Sequence, residues 1–204
     1  MWDIADSSPR DAAVIDIGSN SIRLVLYRIE GRAIWTVFNE KVLAGLGRDL
    51  PATGRLSPDG VKAAHAALRR FKAVLEALQP SGVFVAATAA VREAKDGAEF
   101  VRQVKAETGL VVNVLPGEEE ARLSALGVAA GIPRATGVAG DLGGFSLELI
   151  RVDHGRPGEG ATLPLGPFAL ADGQPFSPDQ ARKRAARRLA GLSNSLAAET
   201  FYAI

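Results

Sequence analysis

The chain has 204 residues, with 24 Lys and Arg against 23 Asp and Glu, a formal net charge of +1 and a hydrophobic share of 47%. That is enough apolar material for one large core or two small ones, and the balanced charge gives no global attraction for nucleic acid. There is no cysteine, which excludes disulfides and thiolate metal sites and suits a cytoplasmic protein. No long apolar run suggests a membrane span, and the opening MWDIADSSPRD lacks the basic-then-apolar order of a signal peptide.

Residues 12–38 predict three strands, AAVIDI, IRLVLYRI and AIWTVF, separated by GSNS and EGR as in an antiparallel meander. GLGRDLPATGRL is a connection. A helix then opens at Ser57 with Pro58 in its first turn, and Val61, Ala64, Leu68, Phe71, Leu75 and Leu78 form one apolar face before Pro80 ends it. VFVAAT predicts a short, wholly apolar strand, central and covered on both sides. EFVRQVKAET predicts a second helix stopped by Gly109, VVNVL a further strand, and EEEARLSALGVAAG a third helix with its acids where the helix dipole favours them. After GIPRATG the hairpin pattern restarts at Gly137, and the domains are placed at 1–128 and 129–204. A last helix starts at Ser177–Pro178 with Ala181, Ala185, Leu189, Leu192 and Leu196 on one face. ETFYAI then opens another apolar strand, so the second domain is expected to be incomplete.

One design occurs twice. AVIDIGSNS (13–21) and GVAGDLGGFS (137–146) each run an apolar strand into an Asp, turn through Gly with a Ser close behind, and enter a second apolar strand, IRLVLYRI or LELIRV. Asp-x-Gly is common turn chemistry, and one copy would imply only a tight hairpin. Two copies about 125 residues apart suggest duplicated half-sites gripping one phosphate chain between two domains. In the first loop the N–H groups of Gly18, Ser19, Asn20 and Ser21 would cradle phosphates, and in the second Gly143, Gly144 and Ser146 supply the donors. Asp141 and Glu148 flank the second loop and are hard oxygen ligands suited to Mg²⁺. Arg92 follows the apolar strand VFVAAT, at the mouth where open α/β sheets bind ligands, and its planar fork matches phosphate; alternatively it is a solvated residue opening the next helix. Glu118, Glu119 and Glu120 in a row are usual partners of a helix N-terminus. His65 and His154, with no acidic partner at useful spacing, read as surface residues. The run Arg182, Lys183, Arg184, Arg187, Arg188 reads as a solvated helix face, with attraction of polyphosphate as the minority reading.

The order DIGSNSIRL, GLGRDLPATGRLSPDG, ATAAVREAKDG, PGEEEARLSALGV, GDLGGFSLEL resembles the exopolyphosphatase and guanosine pentaphosphate phosphatase family, from about Ala13 to about Leu170. The resemblance implies an α/β fold of two actin-like ATPase (ribonuclease H-like) domains with mixed sheets. It implies a Mg²⁺-dependent hydrolase that releases terminal phosphate from inorganic polyphosphate or guanosine pentaphosphate, with no nucleic-acid or membrane partner. It places Asp16 near the metal or phosphates, a phosphate-binding Arg at Arg92, and the catalytic acid on Glu120, with Glu119 the rival. The family has three glycines before the second Ser, whereas Phe145 stands here in the third place, where it could crowd the phosphates or swing to the back of the hairpin. A non-catalytic polyphosphate or alarmone binder and, with no recognisable adenosine motif, a kinase or ATPase of the same superfold are the alternatives. Substrate preference is left open, as is the oligomeric state, including a homodimer of a longer chain.

Overall fold

The computed structural model describes residues 9–31, 33–192 and 196–204. The opening segment before Pro9 and three residues of the region expected to extend the last helix lie outside the described residues. Two mixed sheets carry the architecture. The first has the order β3-β2-β1-β4-β5, built from β1 (Arg10–Ile17), β2 (Ser21–Glu30), β3 (Ala33–Leu43), β4 (Gly82–Ala87) and β5 (Asn113–Val114). β1, β2 and β3 form an antiparallel meander, and β4 and β5 add in parallel. Period-two alternation turns Ala13, Ile15 and Ile17 of β1 and Ile22, Leu24 and Leu26 of β2 to one buried face. Onto it pack Ala64, Leu68, Phe71 and Leu75 of α2 (Pro58–Leu78) and Phe100 and Val104 of α4 (Gly97–Thr108). Fully buried side chains of the size of Phe71 and Leu68 contribute roughly 1.5–3 kcal/mol each. α4 stops at Gly109, whose φ of 71° is left-handed, as the sequence predicts.

The second sheet repeats the plan with the order β8-β7-β6-β9, from β6 (Gly137–Leu142), β7 (Leu147–Asp153), β8 (Arg156–Leu163) and β9 (Phe201–Ala203). β6, β7 and β8 again form an antiparallel meander, and β9 pairs in parallel with β6 as β4 does with β1. α5 (Gly117–Gly131) packs on this sheet. Its Ala121 and Ala125, one turn apart, are buried against Ala139, Ile150 and Val152, and their small side chains let the helix lie close. This is the actin-like α/β arrangement that the sequence resemblance implies.

Several expectations are corrected. VFVAAT is not covered on both sides: β5 pairs only with Ala86 and Ala87, so Val83 and Phe84 lie beyond the last hydrogen-bonded neighbour and are 43% and 53% exposed. The VVNVL strand shrinks to Asn113–Val114 for the same reason. His65 is buried, not a surface residue: its Nδ1 stands 3.1 Å from Glu107 Oε2, which also takes Arg69 Nη1 at 2.7 Å, joining α2 to α4. His154 is exposed as expected, but it has an acidic partner in Asp153 at 2.8 Å. The last helix, α7 (Pro178–Leu189), starts at the expected place but ends before Leu192, and only Ala181 of its apolar stripe is buried. Its basic run is not wholly solvated, since Arg184 and Arg188 donate to the Leu170 and Pro164 carbonyls and Arg184 pairs with Asp172. Leu78, placed on the apolar face of α2, is 48% exposed. Three short helices, α1 (Leu50–Thr53), α3 (Ala89–Glu93) and α6 (Pro167–Ala171), and strand β8 go unread in the sequence, β8 because RPGEGATL carries neither apolar alternation nor a β-branched run.

Candidate functional site

The two Asp-Gly hairpins face each other across the junction of the two sheets. In each, the Gly N–H after the Asp closes the turn on the Ser carbonyl: Gly18 to Ser21 and Gly143 to Ser146, both at 2.9 Å. Each loop is braced from behind by a later segment of its own half. Gly45 and Gly47 donate to the Asn20 and Ser19 carbonyls at 2.9 and 2.8 Å, and Gly166 and Phe168 donate to Phe145 and Gly144 at 2.9 and 3.0 Å. Gly45 takes a φ of 68° to make this turn, a left-handed conformation that favours glycine. The loops touch at Gly144, where a Cβ would stand 3.1–3.2 Å from the Ser19 and Asn20 Cβ atoms and the Asn20 nitrogen. A side chain there would push the two halves apart.

Between the loops opens a cleft of about 450 Å³ lined by Asp16, Gly18 to Ser21, Glu120, Asp141, Gly143, Gly144 and Ser146. Ten residues singled out in the sequence therefore meet in one cavity, drawn from both halves, Asp16 and Glu120 among them. Glu148 lies directly opposite Asp141 in the β6–β7 ladder and is 1% exposed. Arg92 does not line this cleft. It borders an adjoining recess of about 480 Å³ with Gly117 and Glu118, and its Nη1 donates to the Leu115 carbonyl at 2.8 Å and to Glu120 Oε2 at 3.0 Å while Nε reaches Glu93 at 3.0 Å. Of the three glutamates that open α5, only Glu120 faces the cleft. Glu119 is turned outward onto Arg122 through two bonds of 2.7 Å, and Glu118 borders the adjoining recess. Phe145 is half-buried and is not among the residues that line the cleft.

The electrostatics follow from gathering acids close together, Glu148 buried and Asp16 at the exposed rim of the cleft. Burial pushes the Glu148 carboxyl up to about 7, against the pull of the Ser146 hydroxyl, and the charges of Glu120 and Asp141 add to the rise. Neither Glu148 oxygen has a hydrogen-bond partner of good geometry. Desolvation by the cleft walls raises Asp16 to about 6, helped by Asp141 and opposed by Arg23 and Lys41. Glu120 is also raised, by burial first, and Arg92 restrains the rise. An orphaned buried carboxylate beside two further acids fits a hard divalent cation, with Asp141, Glu148 and Asp16 as the residues that would hold it. Among the described residues no three acids are spaced to clasp an ion by themselves, so water and ligand oxygens would complete the shell, as Mg²⁺ prefers.

The cleft residues missed in the sequence include Ser124 and Lys41. Ser124, one helical turn after Glu120, donates from Oγ to Asp141 Oδ2 at 3.0 Å, and its i+4 spacing from Glu120 was the available signal. Lys41 also lines the cleft. It was hidden because β3 was expected to end at Phe38, whereas the strand runs on to Leu43.

A repeated α/β hairpin domain with facing glycine loops and an acidic cleft defines a protein of the actin-like ATPase superfold. The model of the Ppx/GppA phosphatase family matches residues 24–197, and the chain belongs to that family. Among solved structures it is similar to the Aquifex aeolicus Ppx/GppA family member at 28% identity and a TM-score of 0.78, covering 96% of this chain and 66% of that one. An exopolyphosphatase-like protein matches at 25% identity and a TM-score of 0.83 over the same shares of 96% and 66%. An exopolyphosphatase from Cytophaga hutchinsonii shares the fold at 24% identity and a TM-score of 0.85, covering 95% and 66%. The chain thus spans 66% of the length of these relatives. Among the described residues no helix is long and apolar enough to cross a membrane.

Proposed function

We propose that this chain carries the catalytic cleft of a Mg²⁺-dependent phosphohydrolase that removes the terminal phosphate of inorganic polyphosphate, and of guanosine pentaphosphate where that is offered. The observation that supports this most is the meeting of Glu120, Asp141 and both glycine loops in one cleft. The Gly18 and Gly143 N–H groups are spent closing the turns, so the other backbone N–H groups of the two loops, with the Ser hydroxyls, would bind the oxygens of the terminal phosphoryl group. Glu120, restrained in place by Arg92, would orient a water, take its proton as the oxygen attacks the terminal phosphorus, and leave the shortened chain as the departing anion. A bound Mg²⁺ would neutralise charge on the phosphoanhydride oxygens. The family membership and the solved exopolyphosphatase relatives support the phosphatase class.

The test is orthophosphate release from polyphosphate and guanosine pentaphosphate, with Mg²⁺ or EDTA, by this chain and by one as long as its relatives. Release from either substrate that needs Mg²⁺ is expected. Binding without turnover in the longer chain would favour a non-catalytic binder, and phosphate transfer to a sugar in place of water would favour a kinase.

A further inference from the structure

The two hairpins share geometry but not charge. In the first, a ladder crosses the sheet from Asp16 on β1 to Arg23 on β2 to Lys41 on β3, each directly opposite the next. In the second, the same positions carry Asp141, Glu148 and Thr162. The second half therefore supplies acid and the first half supplies cation. Arg23 is tied through Nε to Asn39 at 2.9 Å, whereas Lys41 makes no hydrogen bond or ion pair with another described residue and lines the cleft beside Ser21. Its sequence neighbour Glu40 is engaged by Arg70, and Arg92 is occupied by Glu120, Glu93 and the Leu115 carbonyl. Among the described residues that line the cleft, Lys41 is the only cation, against Asp16, Glu120 and Asp141.

An ammonium without a hydrogen bond to another described residue, on the wall of a cleft whose other charged residues are all acids, has one obvious use for a polyanion. We propose that Lys41 binds the phosphate chain behind its terminal group, so that the chain runs from Glu120 and Asp141 past the Gly18–Ser21 loop and leaves the cleft over β3. This rests on the polyphosphate-cleaving reading above. Asp16 and Lys41 stand two strands apart on the ladder, about 10 Å between their backbones, so the ammonium is set to the side of the loop and acids that take the terminal group. Lys41 is thereby a chain-length determinant: it contacts linear polyphosphates and leaves the terminal group to the loops and acids. Lys41 is exposed on a strand, so its replacement leaves the core untouched.

The experiment titrates long-chain polyphosphate and pyrophosphate, with Mg²⁺ at several salt concentrations, into Glu120→Gln protein with and without Lys41→Gln, Lys41→Arg or Arg187→Ala. Circular dichroism and melting verify each fold. Lys41→Gln should weaken long-chain binding about tenfold, the worth of one charge-assisted contact, and flatten its salt dependence. Pyrophosphate binding should move less than about twofold, Lys41→Arg should restore the long chain, and Arg187→Ala should change neither. Unchanged long-chain affinity in Lys41→Gln overturns the proposal alone, as does an equal loss for pyrophosphate, which would put Lys41 on the terminal group. Failure of the Lys41-containing protein to bind any polyphosphate overturns the polyphosphate reading together with this proposal.

Discussion

At Glu120 a single carboxylate joins two jobs, and its neighbours separate them. Replacing it by Gln keeps its size and its bond from Arg92 but removes the proposed base, so turnover should fall by roughly 10²–10⁴ with binding largely kept. Glu119→Gln, which only releases Arg122, should leave turnover near that of the parent; a collapse there instead would move the base one residue earlier. The structure also changes what is expected of Arg92. Because it grips Glu120 and not the cleft, Arg92→Ala should lower kcat more than it raises KM, whereas a pure phosphate contact would raise KM with kcat intact. Ser124→Ala should act on Asp141 instead. It removes one donor from the carboxylate, and the half-saturating Mg²⁺ concentration should shift several-fold, read by metal titration calorimetry as well as by phosphate release, with Ser124→Thr restoring it. These residues differ in how legible they were. Glu120 stood out through a motif, Asp141 and Glu148 through the repeat, but Arg92's partner lies 28 positions away, a contact no local spacing encodes.

At the scale of elements, α5 decides whether the acids meet. It carries Glu120 and Ser124 on its cleft side and seats Ala121 and Ala125 on the second sheet. Ala125→Leu would overpack that contact by three carbons, costing typically 1–3 kcal/mol and shifting the helix. A lowered melting temperature together with reduced turnover is expected; lost stability with full turnover would show that the cleft tolerates the displacement. The main helices and the first two strands were readable because their apolar residues keep a strict period, as along Ala64, Leu68, Phe71 and Leu75. β8 and the short helices were not, since Gly, Pro and partial burial erase that period in RPGEGATL and PFALA. His65 failed for another reason: its partner Glu107 arrives from a different helix, 42 residues on by numbering but one packed neighbour away in space.

At the scale of the whole molecule, two sheets meet through glycine and store acid at the seam. Gly144→Val would bring branched carbons onto Ser19 and Asn20, where even a Cβ already stands at 3.1–3.2 Å, so the halves should part and phosphate binding weaken while each core stays intact. The same closeness sets a pH dependence. Glu148 is raised from 4.5 to about 7 and Asp16 from 3.8 to about 6 in the folded chain, so the native state holds more protons than the unfolded one between about pH 4 and 7. Stability therefore falls as pH rises through that window. The loss comes mostly from buried Glu148 and is on the order of 3 kcal/mol by the usual 1.36 kcal/mol per unit. The metal-free protein in EDTA should melt higher at pH 5 than at pH 8, and Mg²⁺ should close much of that gap by favouring the ionised carboxylates, since a ligand that binds only the native state stabilises it. Equal melting at the two pH values in EDTA would mean that the four acids are relieved by solvent and do not compete for charge. Glu148→Gln then gives the decisive comparison: it should raise the EDTA melting temperature at pH 8, shrink the pH gap and blunt the response to Mg²⁺, because the group that costs stability is also one proposed to hold the ion.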